Sequence, residues 1–250
     1  MAGSEKPDGL TPNLSKLMRA IADFLSPLLQ DSQRYDRASE SIFRTLTRHM
    51  VAHDEPIAEV ENTQDEDQQA SVVSAFLALA SLRESFSQCE YYFRRFPFSG
   101  LPVSHADHLR NVCEMYFDRI EQFRARLKIL LNALKAYDGK PDNRYDELIR
   151  EFGKFFAWEN KQRNLTHHRR RFEYDAIDQL GLIELLGQAH ALSQNGELAD
   201  LLPSKSMIYR QESQKWVKRV RQHGKSLEHV VEIAAELVLE KCKFLQTSKN

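Results

Sequence analysis

Apolar residues recur along most of this chain at steps of three and four, which is the spacing of one face of an α-helix. The first such pattern begins near Asn13, and Pro27 lies inside it. Proline removes a backbone donor and clashes with the preceding turn, so the helix is expected to kink or end near Ser26. A second pattern carries Ile42, Phe43, Leu46, Met50 and Val51. Residues 13–53 are therefore predicted to form amino-terminal helices, after a disordered lead-in of residues 1–12.

Residues 54–69 differ from the segments on either side of them. They are acidic and polar, as in Asp65, Glu66 and Asp67, and they show no helical period. Low hydrophobicity with clustered charge is typical of segments that do not fold by themselves. This stretch is predicted to be a mobile acidic linker before a helical bundle over residues 70–247.

Two long helical patterns follow the linker. The first covers about residues 70–95 and ends at Phe96–Gly100, where proline and glycine break it. The second begins after Ser104, a candidate N-cap with Asp107 three residues later, and ends at Asp138–Pro141. An apolar seam runs along the second helix through Leu109, Cys113, Tyr116, Ile120, Phe123, Leu127, Leu130 and Leu134. Such a seam predicts lengthwise packing against a partner helix, within a bundle or across a dimer.

Three further helical patterns complete the chain. They run from about Asn143 to Trp158, from about Ile177 to Ser193, and from near Met207 to Leu245 with Gly224 inside the last. The apolar positions of the middle one are Ile177, Leu180, Ile183, Leu185 and Leu186. No stretch alternates with period two long enough to predict a strand. The predicted fold class is all-α, an antiparallel bundle of long helices with extra amino-terminal helices.

Charge and hydropathy limit where the protein can act. The chain has 250 residues and a formal net charge of −1, so no global basic field draws it onto nucleic acid or anionic lipid. Any phosphate contact must therefore be local. No run of about 18 apolar residues could span a bilayer, and residues 1–12 lack the apolar core of a signal peptide. These features predict a cytoplasmic protein with no membrane partner.

Residue types that bind metals are present but poorly arranged. Cys89, Cys113 and Cys242 are odd in number, widely spaced and set among apolar helical positions, which favours reduced core thiols. His105 and His108 have a spacing that could place two imidazoles on one helix face. No carboxylate or cysteine partner is assured for them. We therefore expect neither a metal site nor a cofactor.

The segment from Arg163 to Arg171, called the basic segment below, concentrates residues suited to phosphate chemistry. It reads Arg163-Asn164-Leu165-Thr166-His167-His168-Arg169-Arg170-Arg171. Arginine can hold a phosphate bidentately, and histidine exchanges protons near neutral pH. Because the segment falls between two helical patterns, it is expected at a junction between helices.

Spacing alone is weak evidence for a site here. An arginine followed by a histidine at similar distance also occurs at Arg44 to His49 and at Arg48 to His53. The asparagine directly after Arg163 and the basic run distinguish the third instance. The alternative is that Arg163 only caps the preceding helix and the histidines are surface residues.

Helix geometry leaves the roles of the neighbouring residues open. On a continuous helix, residues four apart share a face and residues five apart diverge by about 140°. His167 would then face with Arg163, whereas His168 converges only if Arg163 lies in a loop. Arg169–Arg171 either bind flanking phosphates or form a solvated face. Glu159 either pairs with Arg163 and fixes its direction or is a solvated carboxylate at the helix end.

Arg163-Asn164-Leu165-Thr166-His167-His168 resembles the signature of the HEPN (higher eukaryotes and prokaryotes nucleotide-binding) superfamily, an arginine, a polar residue, three residues and a histidine. Tyr91–Phe98 and Ser104–Arg110 also resemble a branch of uncharacterised bacterial HEPN-like helical proteins. The resemblance covers roughly residues 70–194. It implies an antiparallel bundle of four to five helices that often forms a homodimer with its motifs facing across the two-fold axis.

The resemblance also implies an activity. Many HEPN proteins are metal-independent endoribonucleases, and others bind nucleotides or RNA without cleaving. By position, Arg163 and His168 would be the catalytic pair, Asn164 would orient them, and His167 is the substitute for His168. The histidine would activate the ribose 2′-OH while Arg163 stabilises the phosphate oxygens, which leaves a 2′,3′-cyclic phosphate. The expected role is in toxin, defence or RNA-processing systems, with a protein partner or antitoxin.

Two other functions remain open from the sequence. One is a non-catalytic helical module that binds RNA, nucleotide or protein through the basic segment and tolerates His168→Ala. The other is a scaffold that dimerises through the Leu109 to Leu134 seam. Aromatic residues that could stack on bases are more often core residues at helical spacing; they are Tyr91, Tyr92, Phe93, Phe96 and Phe98.

Overall fold

The computed structural model describes residues 11–30, 64–98, 102–168, 171–193 and 204–246. Seven α-helices and no strand occupy these ranges, which confirms the all-α helical bundle. The helices are α1 Pro12–Gln30, α2 Gln64–Arg94, α3 His105–Asp138, α4 Asn143–Phe155, α5 Ala157–His168, α6 Asp175–Ser193 and α7 Lys205–Lys241, followed by the 3₁₀-helix Lys243–Leu245. None of these helices combines the length and apolar character needed to cross a membrane.

The structure changes two of the predicted boundaries. α1 continues through Pro27 to Gln30, so the helix does not end near Ser26, and the alternative, a kink there, stays a prediction. α2 begins at Gln64, so the last six residues assigned to the acidic linker are helical. Acidic residues near the start of a helix are stabilised by its dipole, which explains why this charged stretch forms the first turns of α2. The remaining linker, residues 54–63, and the predicted helix around residues 42–51 lie outside the described residues.

The predicted limits of α3 are confirmed. At its start the Asp107 backbone N–H donates to the Ser104 hydroxyl at 2.9 Å, which is the contact of an N-cap. At its end Gly139 has a φ of 64°, a left-handed conformation that glycine adopts without strain. All eight residues of the seam from Leu109 to Leu134 are buried within the single chain. The seam therefore packs inside the protein and offers no surface for the dimerising scaffold.

The chain forms two compact units. Unit 1 contains the described residues of Met1–Ser81, Arg124–Arg150 and Leu227–Asn250, and unit 2 contains those of Leu82–Phe123 and Glu151–Ser226. The boundaries between the units fall inside α2, α3, α4 and α7.

In unit 1, ion pairs join the ends of three helices. Arg144 lies 2.7 Å from Asp142 and 2.8 Å from Glu240, while Lys241 lies 3.0 Å from Asp138 and 3.2 Å from Asp142. The end of α3 and the start of α4 are therefore tied to the last turns of α7. These contacts attach the short turn after Gly139 to α7.

In unit 2, aromatic rings fill the core between α2, α3 and α7. Tyr116 contacts both Phe86 and Phe93, and Phe93 stacks on Trp216 with ring centroids 5.5 Å apart. His108 near the start of α3 meets the Tyr92 carbonyl near the end of α2, and Tyr116 further along α3 contacts Phe86 earlier in α2, so these two helices run antiparallel. This packing sets the positions from which α3 and α7 reach α5.

All three cysteines are buried, and none of them forms a disulfide. Burial raises the pKa of the Cys89 thiol to about 11 and that of the Cys242 thiol to about 12. Neutral thiols at apolar positions agree with the predicted core role of these residues.

Candidate functional site

The first part of the basic segment is helical. α5 runs from Ala157 to His168, so Arg163, Asn164, His167 and His168 belong to one continuous helix. The predicted junction is therefore wrong at these positions. The physical reason is that no glycine or proline occurs within this helix to break it. Residues 169 and 170 lie outside the described residues.

This register changes the choice between the two histidines. His167 lies four residues after Arg163 and shares its face of α5, whereas the backbone position of His168 is rotated by about 140° from it. His168 was expected to converge with Arg163 only from a loop, and that condition is not met. Asn164 is exposed on α5. The register of the helix backbone therefore favours His167 over His168 as the partner of Arg163.

Arg163 lies at the surface between α5 and α3. Its side chain is 31 % exposed, and its Nε is 3.6 Å from a carboxylate oxygen of Asp118. This distance is too long for a hydrogen bond, and the buried Nε makes none with the described residues. Among the described residues, the guanidinium therefore has one loose carboxylate neighbour, and its buried Nε is an unused donor.

Arg171, the last residue of the basic segment, has carboxylate partners on α3. Its Nη1 is 3.1 Å from Asp107 and its Nε is 3.9 Å from Glu114, and it also bonds the side-chain oxygen of Asn111. The expected contact with flanking phosphates would have to displace these groups. In this arrangement Arg171 attaches the segment before α6 to α3.

Glu159 does not pair with Arg163, and it is not solvated. It is only 1 % exposed, and its Oε1 accepts hydrogen bonds from Arg219 at 2.8 Å from Nε and 2.5 Å from Nη2. Both predicted roles of Glu159 are therefore wrong. The physical reason is that α5 turns this residue toward α7, where Arg219 provides the compensating charge that a buried carboxylate needs.

Two further polar groups complete what we call the buried network of Glu159, Arg219, Tyr116 and His223. The Tyr116 hydroxyl is 3.3 Å from Glu159 Oε1 and also forms a hydrogen bond with His223 Nδ1. All groups are satisfied when the hydroxyl donates to Glu159 and accepts from His223 Nδ1–H. Arg219 closes the network on the solvent side, with its guanidinium carbon 4.1 Å from the ring centroid of Trp158.

Burial controls the charge states of this network. Burial and the neighbouring Glu159 charge raise the pKa of Tyr116 well above its usual range. Burial also lowers the pKa of His223, although the Glu159 carboxylate acts in the opposite direction. Both groups are neutral near pH 7, so the only full charges are those of Glu159 and Arg219. The network joins α5 to α3 and α7 through Glu159.

The sequence contained one sign of this network. His223 shares the apolar face of α7 with Trp216, Val220 and Leu227, all of which are buried. A histidine at such a position requires a polar partner from another helix. Nothing local to it identifies Tyr116 or Glu159, which are far away in the chain.

His105 and His108 form structural contacts near the start of α3 and do not converge on a metal. His105 Nδ1 is 2.8 Å from Glu184, whose carboxylate also accepts the backbone N–H groups of His105 and Ala106. His108 is buried against the Tyr92 carbonyl at 3.1 Å, and burial lowers its pKa. Within the described ranges, no group of three or more His, Cys, Asp or Glu side chains could hold a metal ion.

The aromatic residues near the end of α2 are only partly core residues. Phe93 is fully buried, but Tyr91 is 54 % and Tyr92 43 % exposed. Phe96 stacks on His105 with ring centroids 3.9 Å apart, and it also contacts Phe98. The prediction that aromatics at helical spacing are core residues thus holds for Phe93 and fails for the two tyrosines.

Comparison with known proteins identified no relative of this chain. No protein-family model matches the chain, and neither a curated protein nor a solved structure matches it. The HEPN resemblance thus remains a prediction drawn from the residues quoted above.

Proposed function

We propose that this chain is a HEPN-like, metal-independent endoribonuclease with a role in toxin, defence or RNA-processing systems. The observation that carries the proposal is the state of Arg163. Its side chain is 31 % exposed, and among the described residues its carboxylate neighbour, Asp118, lies beyond hydrogen-bond distance at 3.6 Å. A phosphate oxygen would give the exposed side of this guanidinium an acceptor at normal distance. Because the Asp118 contact is long and partly exposed, a phosphate can replace it at little cost.

In this proposal the chemistry is a transesterification. Histidine takes the proton of the ribose 2′-OH, the freed oxygen attacks the adjacent phosphorus, and the 5′-oxygen of the next nucleotide leaves. Arg163 stabilises the negative charge that develops on the non-bridging oxygens. The helix register favours His167 as the base, with His168 as the alternative, and Asn164 as the polar neighbour.

A second candidate is a non-catalytic module that binds RNA, nucleotide or a protein partner through the same segment. The carboxylate partners of Arg171 favour its nucleotide- or protein-binding form, because they reduce the positive charge available to hold a long RNA. A module of this kind needs Arg163 for affinity but needs neither histidine as a base.

The test is cleavage of labelled single-stranded RNA in EDTA, with analysis of the product ends. We expect 2′,3′-cyclic phosphate ends from the parent protein. Arg163→Ala should lower the rate by about 10²- to 10³-fold and His167→Ala by at least about 10²-fold, with a smaller loss for His168→Ala. Arg150→Ala removes an exposed positive charge from α4 and is the matched control, with parental activity expected.

Binding of an RNA analogue with 2′-deoxy sugars separates the two candidates, because it cannot undergo the transesterification. Intact RNA in every reaction, with analogue binding that Arg163→Ala abolishes, would establish the binding module. Neither cleavage nor binding by folded parent protein would contradict both. Light scattering on the same samples tests the homodimer that the resemblance implies.

A further inference from the structure

The middle of α7 concentrates positive charge in a chain whose formal net charge is −1. Residues 210–225 contain one acidic residue against six basic ones, which are Arg210, Lys215, Lys218, Arg219, Arg221 and Lys225. The exposed face of a helix usually mixes the two signs. On α4, for example, Lys154 lies 2.8 Å from Glu151. The middle of α7 departs from this pattern, so positive charge is left over on the helix.

Carboxylates neutralise only part of this charge. Lys215, Arg219 and Arg221 each have a carboxylate partner, at 2.5, 2.5 and 2.9 Å respectively. Lys218 and Lys225 are exposed and form no ion pair with any described residue. Lys215, Lys218 and Lys225 lie within about 80° of one another around the helix and span about 15 Å of its axis. They form one positive face long enough for an extended polyanion.

Exposed aromatic rings lie beside this face. Trp158 is 36 % exposed, and the guanidinium carbon of Arg219 is 4.1 Å from the centroid of its ring. Phe155 is 51 % exposed, and its ring centroid is 5.5 Å from that of His223 on α7. Both rings therefore border α7, at successive turns of that helix. The bases of a single strand stack on such rings whatever their sequence.

We propose that this α7 surface, made of Lys215, Lys218, Lys225, Phe155 and Trp158, binds single-stranded nucleic acid without sequence preference. The lysines contact phosphates of the strand, and bases stack on the two rings. The rings favour a single strand over a duplex, because unpaired bases are free to stack on side chains.

The proposal does not rest on the ribonuclease function. All five residues of the α7 surface belong to unit 2, and none belongs to the basic segment. The surface can therefore hold a strand whether or not Arg163 takes part in cleavage.

The experiment measures binding of a labelled oligodeoxythymidine of about 15 nucleotides, within the usual range of single-strand sites. Fluorescence anisotropy with the full chain is recorded at several salt concentrations. A deoxyribose strand has no 2′-OH, so cleavage by transesterification cannot affect the result. A 2′-O-methyl oligouridine, which also resists this cleavage, should bind with similar affinity because neither contact reads the sugar.

The lysine variants test the phosphate contacts. Lys218→Ala and Lys225→Ala should each lower the slope of log affinity against log salt by about 0.7, which is about fivefold in affinity at about 0.1 M salt. The matched control is Lys128→Ala, which removes an exposed lysine of α3 in unit 1. Its affinity and salt slope should equal those of the parent.

The aromatic variants test stacking. Phe155→Ala should weaken binding roughly tenfold and leave the salt slope unchanged. The chain has two tryptophans, and Trp216 is buried at 4 % exposure, so quenching of tryptophan fluorescence by the strand reports on Trp158. Trp158→Phe keeps an aromatic ring at this position and should remove most of the quenching.

Four results would overturn the proposal. The first is no binding by folded parent protein at low salt, and the second is parental affinity in Phe155→Ala and both lysine variants. The third is tighter binding to a duplex of the same length or to phosphatidylserine vesicles, which would identify another partner. The fourth is binding that Arg163→Ala abolishes and the α7 variants leave intact, which would place the strand on the basic segment. Loss of RNA cleavage without loss of strand binding would contradict only the ribonuclease proposal.

Discussion

Two groups of residues in unit 2 both pair arginine with carboxylates, but one group is exposed to solvent and the other is buried. Around the basic segment, Arg163 and Arg171 face Asp118 and Asp107, and all four side chains are at least 31 % exposed. In the buried network, Glu159 is almost inaccessible and accepts two hydrogen bonds from Arg219. Exposed ion pairs contribute little to stability, whereas breaking a buried pair leaves a charge without compensation. The first group can exchange its partners for a ligand, and the second cannot.

Glu159 and Arg163 therefore have different roles within α5. Glu159 attaches the helix to α3 and α7 through the buried network. The next turn carries Arg163, whose side chain is 31 % exposed and has a loose carboxylate neighbour in Asp118. The proposed function requires an arginine that is held in position without being fully satisfied, and the Glu159 contacts one turn earlier fix the position of this part of α5.

The largest expected effect comes from removing the centre of the buried network. Glu159→Ala deletes the acceptor of Arg219 and Tyr116, and it should lower the free energy of unfolding by about 3 kcal/mol. Urea denaturation followed by circular dichroism measures this loss. Asp118→Ala removes the partner of Arg163 instead and should cost less than about 1 kcal/mol. Equal losses in the two variants would mean that burial does not distinguish the two groups.

A smaller loss is expected when only the hydroxyl of the network is removed. Tyr116→Phe keeps the ring in the aromatic core but leaves Glu159 and His223 with one hydrogen bond fewer, which should cost about 1–2 kcal/mol. The matched control is Tyr145→Phe, because that buried hydroxyl has no hydrogen bond to lose among the described residues. Its unfolding free energy should stay within about 0.5 kcal/mol of the parent. A reversed order would show that the Tyr116 contacts do not stabilise the fold.

The pH dependence of stability tests the charge states of the network. Burial lowers the pKa of both His223 and His108 below the ordinary value of 6.5. Below pH 6.5 the unfolded chain takes up protons that the folded protein does not, so stability is complete above this pH and falls as the pH decreases. The effect should be smaller than that of Tyr116→Phe, since all hydrogen-bonding groups remain present.

The measurement is unfolding free energy between about pH 7 and pH 5, a range above the titration of the carboxyl groups. The pKa of Glu240, for example, is held below its ordinary value of 4.5 by Arg144, so it acts only at lower pH. His223→Gln and His108→Gln should each flatten the slope. A slope that neither variant changes would show that these histidines titrate normally.

Local signals in the sequence were sufficient for much of the fold. Ser104 and Gly139 mark the limits of α3 because a cap and a left-handed glycine act within a few residues of the chain. Its apolar seam was equally clear, since helical spacing alone determines which residues share a face. Leu185 and Leu186 fit such a pattern too, but they are 61 % and 44 % exposed. Spacing therefore predicts that a helix forms more reliably than which of its residues are buried.

The candidate site was harder to predict because its decisive contacts are not local. Glu159 lies four residues before Arg163, and this spacing made an ion pair between them a reasonable expectation. Its actual partner, Arg219, is on α7, 60 residues further along the chain. The predicted junction was wrong for a related reason, because it was inferred from a gap between apolar patterns. A helix such as α5 can continue through a polar stretch when nothing breaks it.

The smallest expected effect belongs to the end of the basic segment. Arg171→Ala breaks ion pairs with Asp107 and Glu114, and its cost should be below about 1 kcal/mol because the arginine is 54 % exposed. Raising the salt concentration to about 1 M should remove most of this difference, since the screening length then falls to about 3 Å. The loss in Glu159→Ala should persist under the same conditions, because its contacts exclude solvent. If salt abolished both losses, the buried network would behave as a surface feature, and its role as the anchor of α5 would have to be abandoned.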